Sequence, residues 1–223
     1  MPATDPTETT STPSDAATED APPREKKRPR IGSSVGSAAR ILGGDALGNG
    51  DRAALRRISP EAPFTPALWK MLYDLEQQDP PGWFGPGARR DERQRAWERR
   101  WATLLMGMAF CARPQESEPR KQHLHDYETA LGAALFEAGW SELRLTRLLR
   151  STGEGLEVEL RRVAQRLDSA SQPANWLDVA NLLFNQPDDA SPKARDFAEK
   201  HRLSVARSYY RVRHEQESDS SDE

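Results

Sequence analysis

The chain has 223 residues, 36% hydrophobic and 30% charged, and contains a single cysteine. Cys111 alone forms no intramolecular disulfide, no apolar run reaches the ~20 residues that span a bilayer, and the N-terminus lacks a segment of signal-peptide type. A secreted disulfide scaffold and a membrane-spanning helical protein are excluded, and the expectation is a soluble cytoplasmic protein with no membrane partner. The formal net charge of −3 hides a segregation of sign: residues 51–213 hold 26 Lys and Arg against 23 Asp and Glu, while residues 1–23 hold five acids and no base.

In chain order, residues 1–50 read as a disordered extension, too poor in apolar side chains to offset the entropy of ordering, with a short helix candidate over 35–42. The basic run Arg24 to Arg30 fits a nucleic-acid arm, an import signal or a solubilising linker. The glycines at 43, 44, 48 and 50 follow no strand and precede no Lys-Ser/Thr, so they do not make a phosphate loop. A helix capped by Asp51 ends at Ser59-Pro60, with Arg56 and Arg57 in its last turn. Phe64 to Gln77 is a second helix, with Leu68, Leu72 and Leu75 on one face. The Pro/Gly-rich stretch 79–87 is a loop whose Trp83 and Phe84 plug the core. Ala88 to Cys111 is expected to be the longest helix, its core stripe Trp97, Trp101, Leu104, Leu105 and Met108. Arg100 lacks an acid four residues away on either side and reads as a free cation. Leu124 to Ala138 is helical, with Leu124, Tyr127, Leu131 and Leu135 inward.

The stretch 139–167 is a helical hairpin broken at Ser151-Thr152-Gly153. Leu145, Leu148 and Leu149 form one buried stripe; Leu156, Leu160, Val163, Ala164 and Leu167 form the other. Outside those stripes lie Arg144, Arg147 and Arg150 on the first helix and Arg161, Arg162 and Arg166 on the second. A short helix follows from Trp176, and a last one from Ser191-Pro192 with Ala194, Phe197, Ala198, His201, Val205, Tyr209 and Val212 on one face. Residues 214–223 are a disordered acidic tail. No segment alternates like a strand, so the fold class is all-α: a compact bundle of about seven to nine helices over residues 51–213.

Catalytic patterns are weak. His123, His125 and Asp126 have a spacing that sends the two imidazoles to different helix faces, and four histidines with one cysteine make no zinc pattern. No nucleophile elbow is present, and neither an enzymatic activity nor a cofactor is expected.

Several stretches, taken in succession, resemble one family. They are Gly50 to Arg57, the helix ending Met108-Ala-Phe-Cys111, Leu131-Gly-x-Ala-Leu135, Ser141-Glu-x-Arg-x-x-x-Leu-Leu-Arg150, Leu160-Arg-Arg162 and Asn175-Trp-Leu. Together they are similar to CasB, the small subunit of the type I-E CRISPR surveillance complex Cascade. The resemblance implies a non-catalytic helical subunit, present as two copies beside guide RNA and target strand, contacting the backbone and large subunits and helping to hold the displaced DNA strand. It carries Arg56, Arg57, Arg100, Arg144, Arg150, Arg161 and Arg162 as phosphate-contacting candidates, to which the hairpin's own basic face adds Arg147. The sequence departs from the family in residues 1–50, in the 79–87 loop, and at Phe197 and His201. Two other readings stand beside it, a helical DNA-binding regulator and a protein-interaction scaffold. Against the regulator, acids open the second hairpin helix, where a recognition helix would meet DNA.

Overall fold

The computed structural model describes residues 30–77, 89–112, 125–186 and 192–220. Among these residues the chain forms nine α-helices and no β-strand, an all-α fold as expected. They are α1 (Ile31–Gly43), α2 (Asn49–Arg56), α3 (Pro66–Asp74), α4 (Arg90–Cys111), α5 (Leu131–Glu137), α6 (Glu142–Arg150), α7 (Gly153–Ala170), α8 (Trp176–Phe184) and α9 (Pro192–Asp219). Trp83, Phe84, Leu124 and His123 lie outside the described residues.

The core is built around α4, which packs against α7, α2, α8, α1 and α3. Its expected stripe of Trp97, Trp101, Leu104, Leu105 and Met108 is buried throughout. Trp97 and Trp101 meet edge to face at 6.2 Å, and both lie against Phe184 of α8, at 4.8 and 5.2 Å. The Trp97 indole N–H donates to the Gln77 carbonyl at 3.1 Å, so the ring is buried with its polar atom satisfied. Gly107 admits the Trp176 ring: a β-carbon there would come within 2.8 Å of it.

Three sequence expectations are corrected. The helix candidate over 35–42 lies inside α1, but residues 31–50 are not a disordered extension around it, because α1 is thirteen residues long and buries Val35, Ala38 and Leu42, and Leu47 beyond it is buried as well. The helix expected from Leu124 begins only at Leu131, and Tyr127 is 56% exposed. Asp126 accepts hydrogen bonds from the Glu128 N–H (3.0 Å) and the Thr129 hydroxyl (2.5 Å), a local turn that competes with helix. The longest helix is α9, of 28 residues, and it runs through the expected tail as far as Asp219.

Two helix starts carry side-chain caps of the kind their residue types favour. Thr65 caps α3, its hydroxyl accepting from Leu68 N–H at 3.2 Å with Pro66 next in line, and Asn175 caps α8 at 3.0 Å. In α2, however, Asp51 is not the cap but sits in the first turn of a helix that starts at Asn49, and it pairs with Lys70 of α3 at 3.0 Å.

Candidate nucleic-acid interface

The hairpin expected over 139–167 is present as α6 and α7, with Leu145, Leu148, Leu156, Leu160, Val163, Ala164 and Leu167 buried. Burying those stripes fixes which arginines share the outer surface. Arg144 and Arg147 are three residues apart on α6, Arg162 and Arg166 four apart on α7, so each pair occupies one helix face. The two pairs meet across a groove of about 340 Å³, which Trp140, Gln165 and Ser169 complete.

Two interactions hold these cations in place. Glu159 is buried, with its side chain 5% exposed, and its Oε1 accepts from Arg147 Nε at 2.9 Å and from an Arg162 terminal nitrogen at 2.5 Å. One carboxylate on a rigid helix therefore orients two half-exposed guanidiniums, an arrangement that lowers the entropy they lose on taking a ligand. Arg144 lies over the Trp140 ring, 5.5 Å from its centroid, which stiffens a third. Arg166 donates from Nε to the Ala138 carbonyl at the end of α5 and presents the rest of its fork to the groove. Four cations against one buried carboxylate leave the groove strongly positive. Planar forks of this kind suit the paired oxygens of phosphates and carboxylates.

Residues 51–210 match the family described as CRISPR-associated protein Cse2. The chain belongs to the Cse2 (CasB) family of type I-E Cascade subunits. A crystal structure of CasB from Thermobifida fusca shares the fold at 20% identity and a TM-score of 0.55, the match covering 80% of this chain and 96% of that one. A chain in a crystal structure of E. coli Cascade bound to a PAM-containing dsDNA target is 21% identical, with a TM-score of 0.41 and coverage of 77% and 95%. The comparison with curated proteins finds no match.

In this Cse2-family chain the other candidate arginines do not join the groove. Arg56 donates to the carbonyls of Ala109 (2.6 Å) and Ala112 (2.7 Å), closing the C-terminus of α4 where cations are favoured. Arg161 donates to the Ile58 carbonyl at 2.5 Å and lies 5.5 Å from the Phe110 ring centroid, bracing α7 against the segment after α2. Arg100 is half-buried beside Glu157, whose carboxyl its charge favours in ionised form, so it is not the free cation its neighbours suggested. Arg57 and Arg150 are exposed and stand apart from the four.

Glu157 takes part in a pair between helices. Arg99 of α4 bonds Glu154 at 3.0 Å and Glu157 at 3.2 Å at the start of α7. Burial pushes the Glu157 carboxyl up, with Arg99 opposing it. These acids close the face a recognition helix would need, which removes the helix-turn-helix reading of the hairpin.

Sequence reasoning undervalued Arg166 and missed Trp140, Gln165 and Ser169. The i, i+4 step from Arg162 to Arg166 was the available signal; the approach of Trp140 to α6 was not visible in spacing.

Proposed function

We propose that this chain is a non-catalytic Cascade subunit that grips nucleic acid by its sugar–phosphate backbone, in the groove of Arg144, Arg147, Arg162 and Arg166. The convergence of four arginines from two helices, two of them oriented by buried Glu159, carries this reading. Guide-paired target DNA and the displaced strand are the ligands that suit it, because backbone contacts position a strand without reading its sequence. The remaining Cascade subunits, the guide RNA and a second copy of this chain complete its partners, and the cytoplasm is its compartment. No catalytic role is assigned to any residue.

The test replaces all four arginines with alanine and measures binding of the assembled complex to guide-matched DNA across a salt series. Each lost phosphate contact lowers the log–log salt slope by roughly 0.7 for single strands or 0.9 for duplex, so the slope falls by about three while sequence preference stays. An unchanged affinity and slope, for both the paired and the displaced strand, overturns the proposal and leaves a helical scaffold.

A further inference from the structure

Helix α3 carries an aromatic face that its own packing leaves uncovered. Its inward side buries Ala67, Leu68, Met71 and Leu72. On the other side Phe64 is 42% exposed, Trp69 36% and Tyr73 65%. Phe64 stacks on Trp69 at 5.9 Å across the N-cap Thr65, the apolar staple that fixes how a chain enters a helix. The staple accounts for those two rings. It gives no cover to Tyr73, one turn beyond Trp69 on the same face, and three such aromatics together in water mark an interaction surface rather than scattered exposure.

The flanks of this face are acidic. Glu61 precedes it, and Asp74 and Glu76 end it, all three exposed, at a helix C-terminus whose last turn holds no cation. The carbonyl end of a helix itself favours positive charge. Lys70 is already engaged by Asp51. The N-terminal stretch leaves the described residues close to this point. After α3 the left-handed Glu76 (φ 54°) folds Gln77 back, so that its N–H donates to the Leu72 carbonyl at 2.8 Å. The Gln77 side chain donates to the Ser34 hydroxyl of α1 at 3.3 Å, both residues being buried. Ser34 N–H in turn donates to the Arg30 carbonyl at 3.1 Å, so Arg30 lies one turn of α1 away from that contact.

We propose that the aromatic face of α3 is the seat of this chain's own residues 22–29, Pro-Pro-Arg-Glu-Lys-Lys-Arg-Pro, which lie outside the described residues. Three prolines favour the extended polyproline conformation that docks on aromatic faces, and Phe64, Trp69 and Tyr73 take proline rings and the stems and charges of Arg and Lys. Four cations against one acid complement Glu61, Asp74 and Glu76. Length agrees with this course. Eight extended residues span up to about 26 Å, whereas the nine residues of α3 rise only about 14 Å. The basic run thereby becomes a strap held on the body rather than a free arm for nucleic acid, and the assignment is independent of the arginine groove. A terminal strap opens locally, well before the core melts, so its removal leaves the melting temperature in place.

The test places the photoreactive residue p-benzoylphenylalanine at position 73 of the full-length chain, irradiates it, and maps the attached residues by mass spectrometry. A second probe at position 143, where Leu143 is 81% exposed on α6, controls for chance encounters with a tethered segment. The expected result is attachment from position 73 to residues 22–29 of the same chain, unaffected by dilution and absent from position 143. Trypsin cleavage after Arg24, Lys26 and Lys27 is followed in parallel. Y73S, at an exposed site that the core does not use, is expected to speed that cleavage several-fold. No attachment from position 73, equal attachment from both probes, or equal cleavage of parent and Y73S overturns the strap and leaves Phe64 and Trp69 as a helix staple. Attachment to a second copy, lost on dilution, overturns it in favour of a self-association surface. Attachment to another subunit, seen in assembled Cascade and with none to residues 22–29 in the free chain, overturns it in favour of a docking surface within the complex.

Discussion

Gly132 of α5 lies so close to Val205 of α9 that a β-carbon on it would fall well inside 3.0 Å of the Val205 carbonyl oxygen. The Tyr209 amide nitrogen is also within that limit, at 2.7 Å, so the obstruction is backbone rather than a movable side chain. Alanine at 132 must push the two helices apart. Overpacking of this kind costs about 1–3 kcal/mol, and the helix propensity gained over glycine, about 1 kcal/mol, does not offset it. G132A is expected to lower the melting temperature by several degrees, measured by circular dichroism. A melting temperature equal to or above that of the parent would show that α9 does not sit where it is described.

Glu159→Gln touches both stability and binding. The carboxylate joins Arg147 and Arg162, and its Oε2 is buried with no hydrogen-bond partner among the described residues. Losing its charge is expected to cost about 1–3 kcal/mol in chemical denaturation, the usual worth of hydrogen bonds to a charged group. The same change weakens the contact that aims two guanidiniums, so nucleic-acid affinity at low salt should fall. An affinity that rises instead would mean that Glu159 acts mainly as an internal competitor for the arginines.

Acid should destabilise the fold in the histidine range. His125 Nδ1 accepts the Trp176 N–H at 3.1 Å, and burial holds its pKa, like that of His201, below the ordinary value. Below about pH 6.5 the unfolded chain binds protons that the folded chain resists, so stability falls as pH drops through that value towards the depressed folded ones. Burial raises Asp178 and Glu157, which act with the opposite sign: as pH falls the folded chain takes up their protons before the unfolded chain does. His125→Asn keeps an acceptor for the Trp176 N–H and removes the proton site. Its melting temperature is expected to depend less on pH between about 7.5 and 5.5 than that of the parent. An identical pH profile would exclude His125 as a source of the acid sensitivity.

Truncation should distinguish residues 1–29 from residues 30–50. Deleting 1–29 is expected to leave the melting temperature unchanged. Deleting 1–50 removes Val35, Ala38, Leu42 and Leu47 from the core. A single buried Leu→Ala change costs about 2–5 kcal/mol against a total stability of about 5–15 kcal/mol, so the shorter chain should lose cooperative unfolding altogether. A cooperative melt for that shorter chain would show that α1 is an accessory.

Much of the fold was legible because its large apolar residues recur at helical spacing. The Trp97–Met108 stripe and the two leucine stripes of the hairpin are of this kind. The first turn of α1, ahead of the helix candidate at 35–42, escaped because Ile31-Gly-Ser-Ser-Val-Gly-Ser is rich in glycine and serine, poor helix formers that become helical only by packing on α8 and α4. Tyr127 misled because it stands four residues before Leu131 while Asp126 draws the backbone into a turn. The arginines show the deeper limit. Sequence gives their charge and helix face, but whether a guanidinium is available depends on carbonyls that arrive from elsewhere: 53 residues away for Arg56 and 103 for Arg161. The hairpin pairs Arg144/Arg147 and Arg162/Arg166 were readable because both helices and their turn are local.

The pairing of α5 with α9 also bears on how the chain is made. Tyr209 donates its hydroxyl to the Trp140 carbonyl, 69 residues back along the chain, and Phe136 meets the same tyrosine ring edge to face at 5.2 Å. A ribosome therefore releases α5, α6 and α7 well before the helix that covers them exists. At about 5–20 residues per second, the apolar face of α5 waits several seconds for α9. Through that interval the nascent chain offers exposed leucine and phenylalanine to chaperones or to its own kind, and it cannot join a partner that needs the finished surface. Loss of the last helix, through a premature stop codon or proteolysis, would thus be read by the cell as failure to fold, well before it appeared as a binding defect.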